Sequence, residues 1–457
     1  MKKLEKIIGI TIYIWMGIQI ALGVIWGFCN LTKIPAFEES YDLIAMSEKL
    51  VADDYTGYLY LLLIRGCSMV ADFFGAPLGV FLYPLQLLIA YVCYEYFLHK
   101  VVFREQGQRR LRRKRAPFYL GFILTIPMVL QVHMAVLPYS LASSLFVALM
   151  AGIICLCVSE EKEKKADVIR VGLLWIISAL ICPDYAWLCG ICVVAGMVWY
   201  LLTHRHFCSK LVLTALVSIL CICGCNTLLQ TPGSNGKMQK SVEGTLLRSV
   251  VWPNFVELSF FWGEEVHQNW TMEELMLLSM APERVTEEFG PVMEQKLGVK
   301  EARRVYIEMI MQTIKVNTRD VLTGMGQEAL AYLCPPVAVK VQLQGVGESY
   351  TGWNYGRMKD YAPRVTKYYV EYALSAWIYL LVAAGLLCIC RIRPKQWQPK
   401  ARKRRLYGTL VYAGTMLLAV DVWYVLVNGN MQDYLKVPVI TVLWAFLMIG
   451  VLRRSEG

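Results

Sequence analysis

"TGYLYLLLIRGCSMVADFFG" (Thr56–Gly75) decides how this chain is threaded. It is apolar enough to be taken for a membrane helix, yet it carries Arg65 at its centre and Asp72 near its end. A central arginine costs at least about 2.5–3.5 kcal/mol in an insertion assay. The expectation is therefore a helix on a membrane surface, or one tucked into a bundle, rather than a crossing. One extra crossing here would reverse the side of every later loop.

The rest of the chain makes a membrane setting necessary. Hydrophobic residues make up 57% of the 457 residues and charged ones 18%, against roughly 25% charged in soluble domains. The apolar residues fall into runs of about twenty, enough to span a hydrocarbon layer of roughly 30 Å. Ten such spans are predicted, at about 7–29, 76–103, 117–134, 139–158, 168–184, 186–203, 211–229, 370–390, 406–428 and 437–452. The start, "MKKLEKIIGITIYIWMGIQIALGVIWGF", is too long in its apolar run for a signal peptide, so it reads as a retained first helix. The fold class expected is an all-α polytopic membrane protein.

Charge fixes the sides. With 56–75 not crossing, "REQGQRRLRRKRA", "HRHFCSK", "RIRPKQWQPKARKRR" and "RRSEG" all fall on one face. Lys and Arg concentrate on the cytoplasmic side of membrane proteins. The pattern predicts ten crossings, both termini cytoplasmic and a plasma-membrane location. The net charge of +11 is mostly this cytoplasmic collar, so nucleic acid is excluded as a partner. The chain then divides into a membrane bundle at 1–229 with an acidic first outer loop (30–75), an outer helical domain at 230–368, and membrane helices at 369–457. In the middle region "TMEEL" at Thr271 reads as a helix-capping box. "EARRVYIEMIMQTIKV" (301–316) puts Val305, Met309 and Thr313/Ile314 on one helical face. Most of the fifteen cysteines lie inside apolar runs, where Cys packs as a small apolar residue.

The stretch after the first span, "EESYDLIAMSEKLVADDY" (Glu38–Tyr55), is dense in acid: Glu38, Glu39, Asp42, Glu48, Asp53 and Asp54. A solvated loop would have the same composition. A carboxylate held just outside a membrane helix could also serve as a general base, or hold a metal, beside a lipid-borne substrate whose phosphate lies among the headgroups. A leaving phosphate needs positive charge. Candidates among the outer cations are Arg65, Arg248, Arg357, Lys359, Arg364 and Lys367. Arg65 is the best motivated, with a salt bridge to Asp72 or a loop acid as the plainer reading. His133, near the outer end of its span, could donate to a phosphate or be an ordinary interface residue. "SYTGWNYGRMKDYAP" (Ser349–Pro363) gathers Trp353, Tyr355 and Arg357, which suits contact with a sugar or a lipid head; an aromatic belt at the bilayer interface looks the same.

This order of parts resembles the GT-C superfamily of glycosyltransferases that use polyprenyl-phosphate sugars, the class of protein O-mannosyltransferase-like and aminoarabinose transferase-like enzymes. "EESYDLIA" (Glu38–Ala45) is similar to the family's acidic first-loop motif, "DDYTGYLYLLLIRG" (Asp53–Gly66) to the run that follows it, and "LQVHMAVLPYSLASSLFVALM" (Leu130–Met150) to its second outer loop. In that second loop Ser140 and Leu141 match, whereas Pro138 and Tyr139 stand where Thr and an acid often do. The resemblance implies transfer of a sugar from a polyprenyl-phosphate donor to a glycan, lipid or protein acceptor outside the cytoplasm. It implies Glu39, with Glu38 beside it, as the catalytic acid; Arg65, Asp42, Asp54, His133, Tyr139, Trp353, Tyr355 and Arg357 are the candidates for bordering donor or acceptor. No cofactor is firmly implied, and a divalent metal has no support from the motifs. "GNMQDYLK" (429–436) resembles the last outer loop of the family, with Asp433 and Lys436 as further candidates. Two other readings stand beside this one: a GT-C-like envelope assembly protein without catalysis, and a transporter or flippase, to which Asp421 inside a span would point.

Overall fold

The computed structural model describes residues 2–32, 38–50, 56–102, 109–158, 165–204, 209–229, 289–319, 321–322 and 412. Among these residues every regular element is helical. The helices are α1 (Lys2–Asn30), α2 (Glu38–Lys49), α3 (Tyr58–Phe74), α4 (Gly79–Phe97, continued by a π turn at Leu98–Val102), α5 (Arg109–Leu124), α6 (Pro127–His133), α7 (Pro138–Val158), α8 (Lys165–Ile181), α9 (Pro183–His204), α10 (Ser209–Leu229), α11 (Gly290–Leu297) and α12 (Val299–Val316). They fall in two compact units, α1 to α10 with Tyr412 in one and α11–α12 in the other. The predicted Thr271 cap, the three C-terminal spans, Asp421, and the motifs at 349–363 and 429–436 lie outside the described residues.

Each of the seven N-terminal apolar runs is helical, and four of the helices carry stretches long and apolar enough to cross a membrane: Tyr13–Asn30, Gly79–Val101, Pro138–Cys157 and Tyr185–Leu202. The outer surface is correspondingly greasy. Ile10, Ile14, Ile18 and Phe28 on α1, Trp187, Val194 and Leu202 on α9, and Leu213, Leu216 and Leu220 on α10 are exposed. Such a belt is tolerable where lipid is the solvent and costly where water is. At the centre runs α7, whose membrane-length stretch is buried throughout. It packs against α4, α8 and α9, and its apolar residues go all the way round, as a helix in the middle of a bundle requires.

The third apolar run, expected as a single span at 117–134, is broken between α5 and α6. Pro127 has no N–H to continue the ladder, and Ile126 before it is extended (φ −63°, ψ 126°), as a residue preceding proline prefers. Thr125 stabilises the break: its hydroxyl donates to the carbonyls of Gly121 at 2.7 Å and Phe122 at 3.1 Å. Its own carbonyl accepts from Gln19 Nε2 of α1 at 3.3 Å. A freed backbone group at this depth is thus satisfied by a neighbouring helix.

The segment 56–75 forms α3, and its local chemistry sets its length. Gly75 adopts the left-handed conformation (φ 60°, ψ 31°). Its N–H bonds the Asp72 carbonyl at 3.2 Å, and Ala76 N–H bonds Ala71 O at 2.9 Å, the paired closure that stops a helix, with Pro77 just beyond. The 17 residues of α3 make roughly 25 Å of helix at 1.5 Å each, short of the hydrocarbon thickness. Both its ends lie at the same end of the bundle. At the start, Gly57 N–H donates to Ile181 O at 3.0 Å, where α8 finishes. A side-chain carbon on Gly57 would collide with the Leu180 carbonyl, so this contact demands glycine. After its end, a side-chain carbon on Gly79 would meet the Leu31 carbonyl at 2.6 Å, where α1 finishes. We call this the first end of the bundle; the other holds the last residues of α4, α7 and α9.

In the second unit α12 confirms the amphipathic pattern with a shift of register. Ala302, Val305, Tyr306, Met309, Ile310 and Thr313 are buried, so Tyr306 and Ile310 join the face and Ile314 turns partly out. The Tyr306 hydroxyl donates to Gly290 O at 3.2 Å. Burial first, then the Glu294 charge, raises its pKa, so it stays a neutral donor.

Candidate active site

At the first end, uncharged polar side chains from four helices meet around the turn Met134–Leu137 between α6 and α7. Gln86 of α4 is the hub. Its Nε2 donates to Ala135 O at 3.2 Å and to the Tyr60 hydroxyl of α3 at 3.4 Å. Its Oε1 accepts from Ser140 Oγ of α7 at 2.6 Å. One carbonyl further along the turn, Val136 O accepts from Ser40 Oγ of α2 at 3.2 Å. Gln86, Tyr60, Ser140 and Ser40 are all fully buried. Satisfied in this way, the cluster fixes a unique arrangement of the loops, because each unpaired polar group in so dry a place would cost about 1–3 kcal/mol.

The consequence concerns α2. Ser40 sits in its first turn, directly after Glu38 and Glu39, so the bond to Val136 ties the acidic first-loop motif to the "LPYS" motif of the second loop. The fold thus joins two segments far apart in the sequence. Along α2, Ser40, Leu43 and Ser47 are buried while Tyr41, Asp42, Ala45 and Glu48 are exposed. Asp42 is therefore on the outer side of the helix.

The remaining described candidates separate. His133 closes α6 and is wholly buried. Its Nε2 is 3.1 Å from the Tyr94 hydroxyl, with the rings edge to face at 6.1 Å. Among the described residues its Nδ1 has no hydrogen-bond partner. The expected interface histidine is an interior one. Tyr139 is also buried, its ring 6.3 Å from that of Tyr185 on α9. It packs against the start of α9, in the core. Arg65 is exposed on α3, and among the described residues it pairs with neither Asp72 nor a loop acid. Asp54, Trp353, Tyr355 and Arg357 lie outside the described residues. Among the described residues no group of three or more His, Cys, Asp or Glu could hold a metal ion.

Gln86 and Tyr60 are absent from the sequence-based candidates. The signal for Gln86 was present: it is a single amide in the apolar run "FLYPLQLLIAYV" (Phe81–Val92), and a buried amide in a span needs partners. No family model matches the chain, and comparison with curated proteins and with solved structures finds no match.

Proposed function

We propose that the chain is a plasma-membrane glycosyltransferase of GT-C type with about ten crossings and both termini cytoplasmic. It moves a sugar from a polyprenyl-phosphate donor to an envelope glycan, lipid or protein on the non-cytoplasmic face. The observation that carries this reading is the Ser40–Val136 bond. It ties the acid-bearing start of α2 to the α6–α7 turn, which supports a reading in which both border one site. In the transfer, the acceptor hydroxyl oxygen forms the new bond to the sugar's anomeric carbon. A carboxylate takes the hydroxyl proton, and the polyprenyl phosphate leaves with the electrons of the broken bond. The start of a helix suits an ionised carboxylate, since the unpaired backbone N–H groups there carry partial positive charge.

Helical register favours Glu39 over Glu38 for the base. Position 39 shares its side of α2 with the buried Leu43 four residues on; position 38 shares its side with the exposed Asp42 and Ala45. The test is transfer from radiolabelled polyprenyl-phosphate sugars in membranes. Glu39→Gln should lower the rate about 100-fold or more, and Glu38→Gln should leave most of it. Intact transfer in both variants would sink the catalytic assignment.

One observation favours transport instead: the break between α5 and α6, since transporters build their sites at discontinuous helices. A route through Thr125 open alternately to the two sides would support that reading, and labelling of the break from one side only would count against it.

A further inference from the structure

Thr56–Gly75 can be assigned more than a non-crossing role, because its helix has three differently made sides. At 100° per residue, the buried residues Tyr60, Leu61, Ile64, Cys67 and Ala71 form the side against the bundle. Nearly opposite, Leu59, Leu62, Met69, Val70 and Phe73 are exposed, with Phe73 at 83% and Met69 at 66%. Between these two sides, Arg65 and Asp72 occupy one stripe, seven residues apart and both exposed. A helix in water has no use for five exposed large apolar residues in a row, and a crossing helix has no use for a charged stripe along its length.

We propose that α3 is an in-plane helix whose partner is the phospholipid bilayer: the Leu62–Met69–Phe73 stripe enters the upper acyl region, and Arg65 engages lipid headgroup phosphate. The two ends of α3 supply the orientation. One is tied to the end of α8 through Gly57 and Ile181, and the other leads through a short turn to Gly79, the first residue of α4, which abuts the end of α1 at Leu31. The helix therefore runs across the first end of a bundle whose other long helices run through it. Its greasy side is continuous with their greasy flank, since Phe74 stacks on Phe81 of α4 at 5.8 Å and meets Phe73 edge-on at 5.1 Å. Amphipathic helices seat themselves this way, about 5–10 Å into the headgroup boundary. A long arginine stem lets the guanidinium reach phosphate while its methylenes stay in the apolar layer. Asp72, two turns on in the same stripe, faces water.

The inference does not depend on sugar transfer, and its test does not measure it. The full chain would be reconstituted in phosphatidylcholine vesicles brominated at shallow or deep acyl positions. An encoded fluorescent amino acid would be placed singly at Leu62, Met69, Asp72 or Phe73, all exposed sites. Shallow bromine should quench positions 62, 69 and 73 most and to similar extents, and aqueous iodide should quench position 72 at least about twofold more than 73. Depth that increases steadily from 62 to 73 would mean a crossing helix and overturn the proposal. So would equal iodide quenching at all four positions. Arg65→Leu should move the labels at 62 and 69 toward the deeper bromine; an unchanged depth would overturn the headgroup role of Arg65.

Discussion

The two ends of the membrane bundle are held by different chemistry. The first end is closed by neutral hydrogen bonds in the dry interior, from Ser40, Gln86, Tyr60 and Ser140 to one another and to the α6–α7 turn. The second end is closed by charge at the surface. There the Arg170 guanidinium lies 5.4 Å over the Tyr96 ring, donates to its hydroxyl at 3.3 Å and pairs with Asp167 at 3.2 Å. Lys100 approaches the same ring at 5.9 Å. Neutral bonds in a buried site fix geometry and ignore salt; exposed charges set the side of the membrane and contribute little to rigidity. A protein that must present a short loop at a defined depth needs the first kind at its working end.

The comparison is broken most severely at Gly57. A side chain there must displace the Leu180 carbonyl, and backbone gives way poorly. Gly57→Val should cost about 3 kcal/mol, read as a lowered midpoint of unfolding in detergent micelles, with α3 detached from α8. The next largest effect is at the hub. Gln86→Leu leaves Ser140 and Tyr60 without their amide partner and the Ala135 carbonyl bare. About 2 kcal/mol is expected, less than three separate bonds would sum to, since hydroxyls in a membrane interior find other partners. Ser40→Ala removes one bond to Val136, for about 1 kcal/mol. Its larger consequence should be functional: α2 loses its tie to the second loop, so sugar transfer should fall several-fold while Glu39 is intact. If transfer in Ser40→Ala matches the parent, the tie does not position the acid.

Much of this contrast could be read from the sequence, and the unread part has a physical cause. Apolar runs mark the seven N-terminal spans that were expected, all of which are helical, because burial in lipid leaves a signal in each residue. The expectation that Thr56–Gly75 does not cross comes from Arg65, Asp72 and the side of the later basic clusters, and the short helix with its Gly75–Pro77 stop agrees with it. The break at Thr125–Ile126 was equally local: Pro127 announces it, but a hydropathy window averages it away. The buried cluster was a different matter. Gln86 and Ser140 are 54 positions apart and Ser40 and Val136 are 96 apart, and neither pairing has a local signature. For the same reason His133 looked like an interface residue. Its place in the chain is near a span's end, but the Tyr94 that receives it comes from another helix.

The smallest effect sharpens the comparison from the second end. Arg170 is nearly half exposed, so replacing it with alanine should cost only about 0.5 kcal/mol. What distinguishes the two ends is how that cost responds to ionic strength. At 0.15 M salt, charges are screened over about 8 Å, and at 1 M over about 3 Å. The difference between Arg170→Ala and the parent should therefore shrink toward zero as salt rises from 0.01 to 1 M, while the Gln86→Leu difference stays constant. The measurement is the unfolding midpoint of each variant across that series. If Arg170→Ala were as insensitive to salt as Gln86→Leu, the Arg170 contribution would have to come from its stem packed on the Tyr96 ring, and the contrast would narrow from charge against neutral bonds to two kinds of packing.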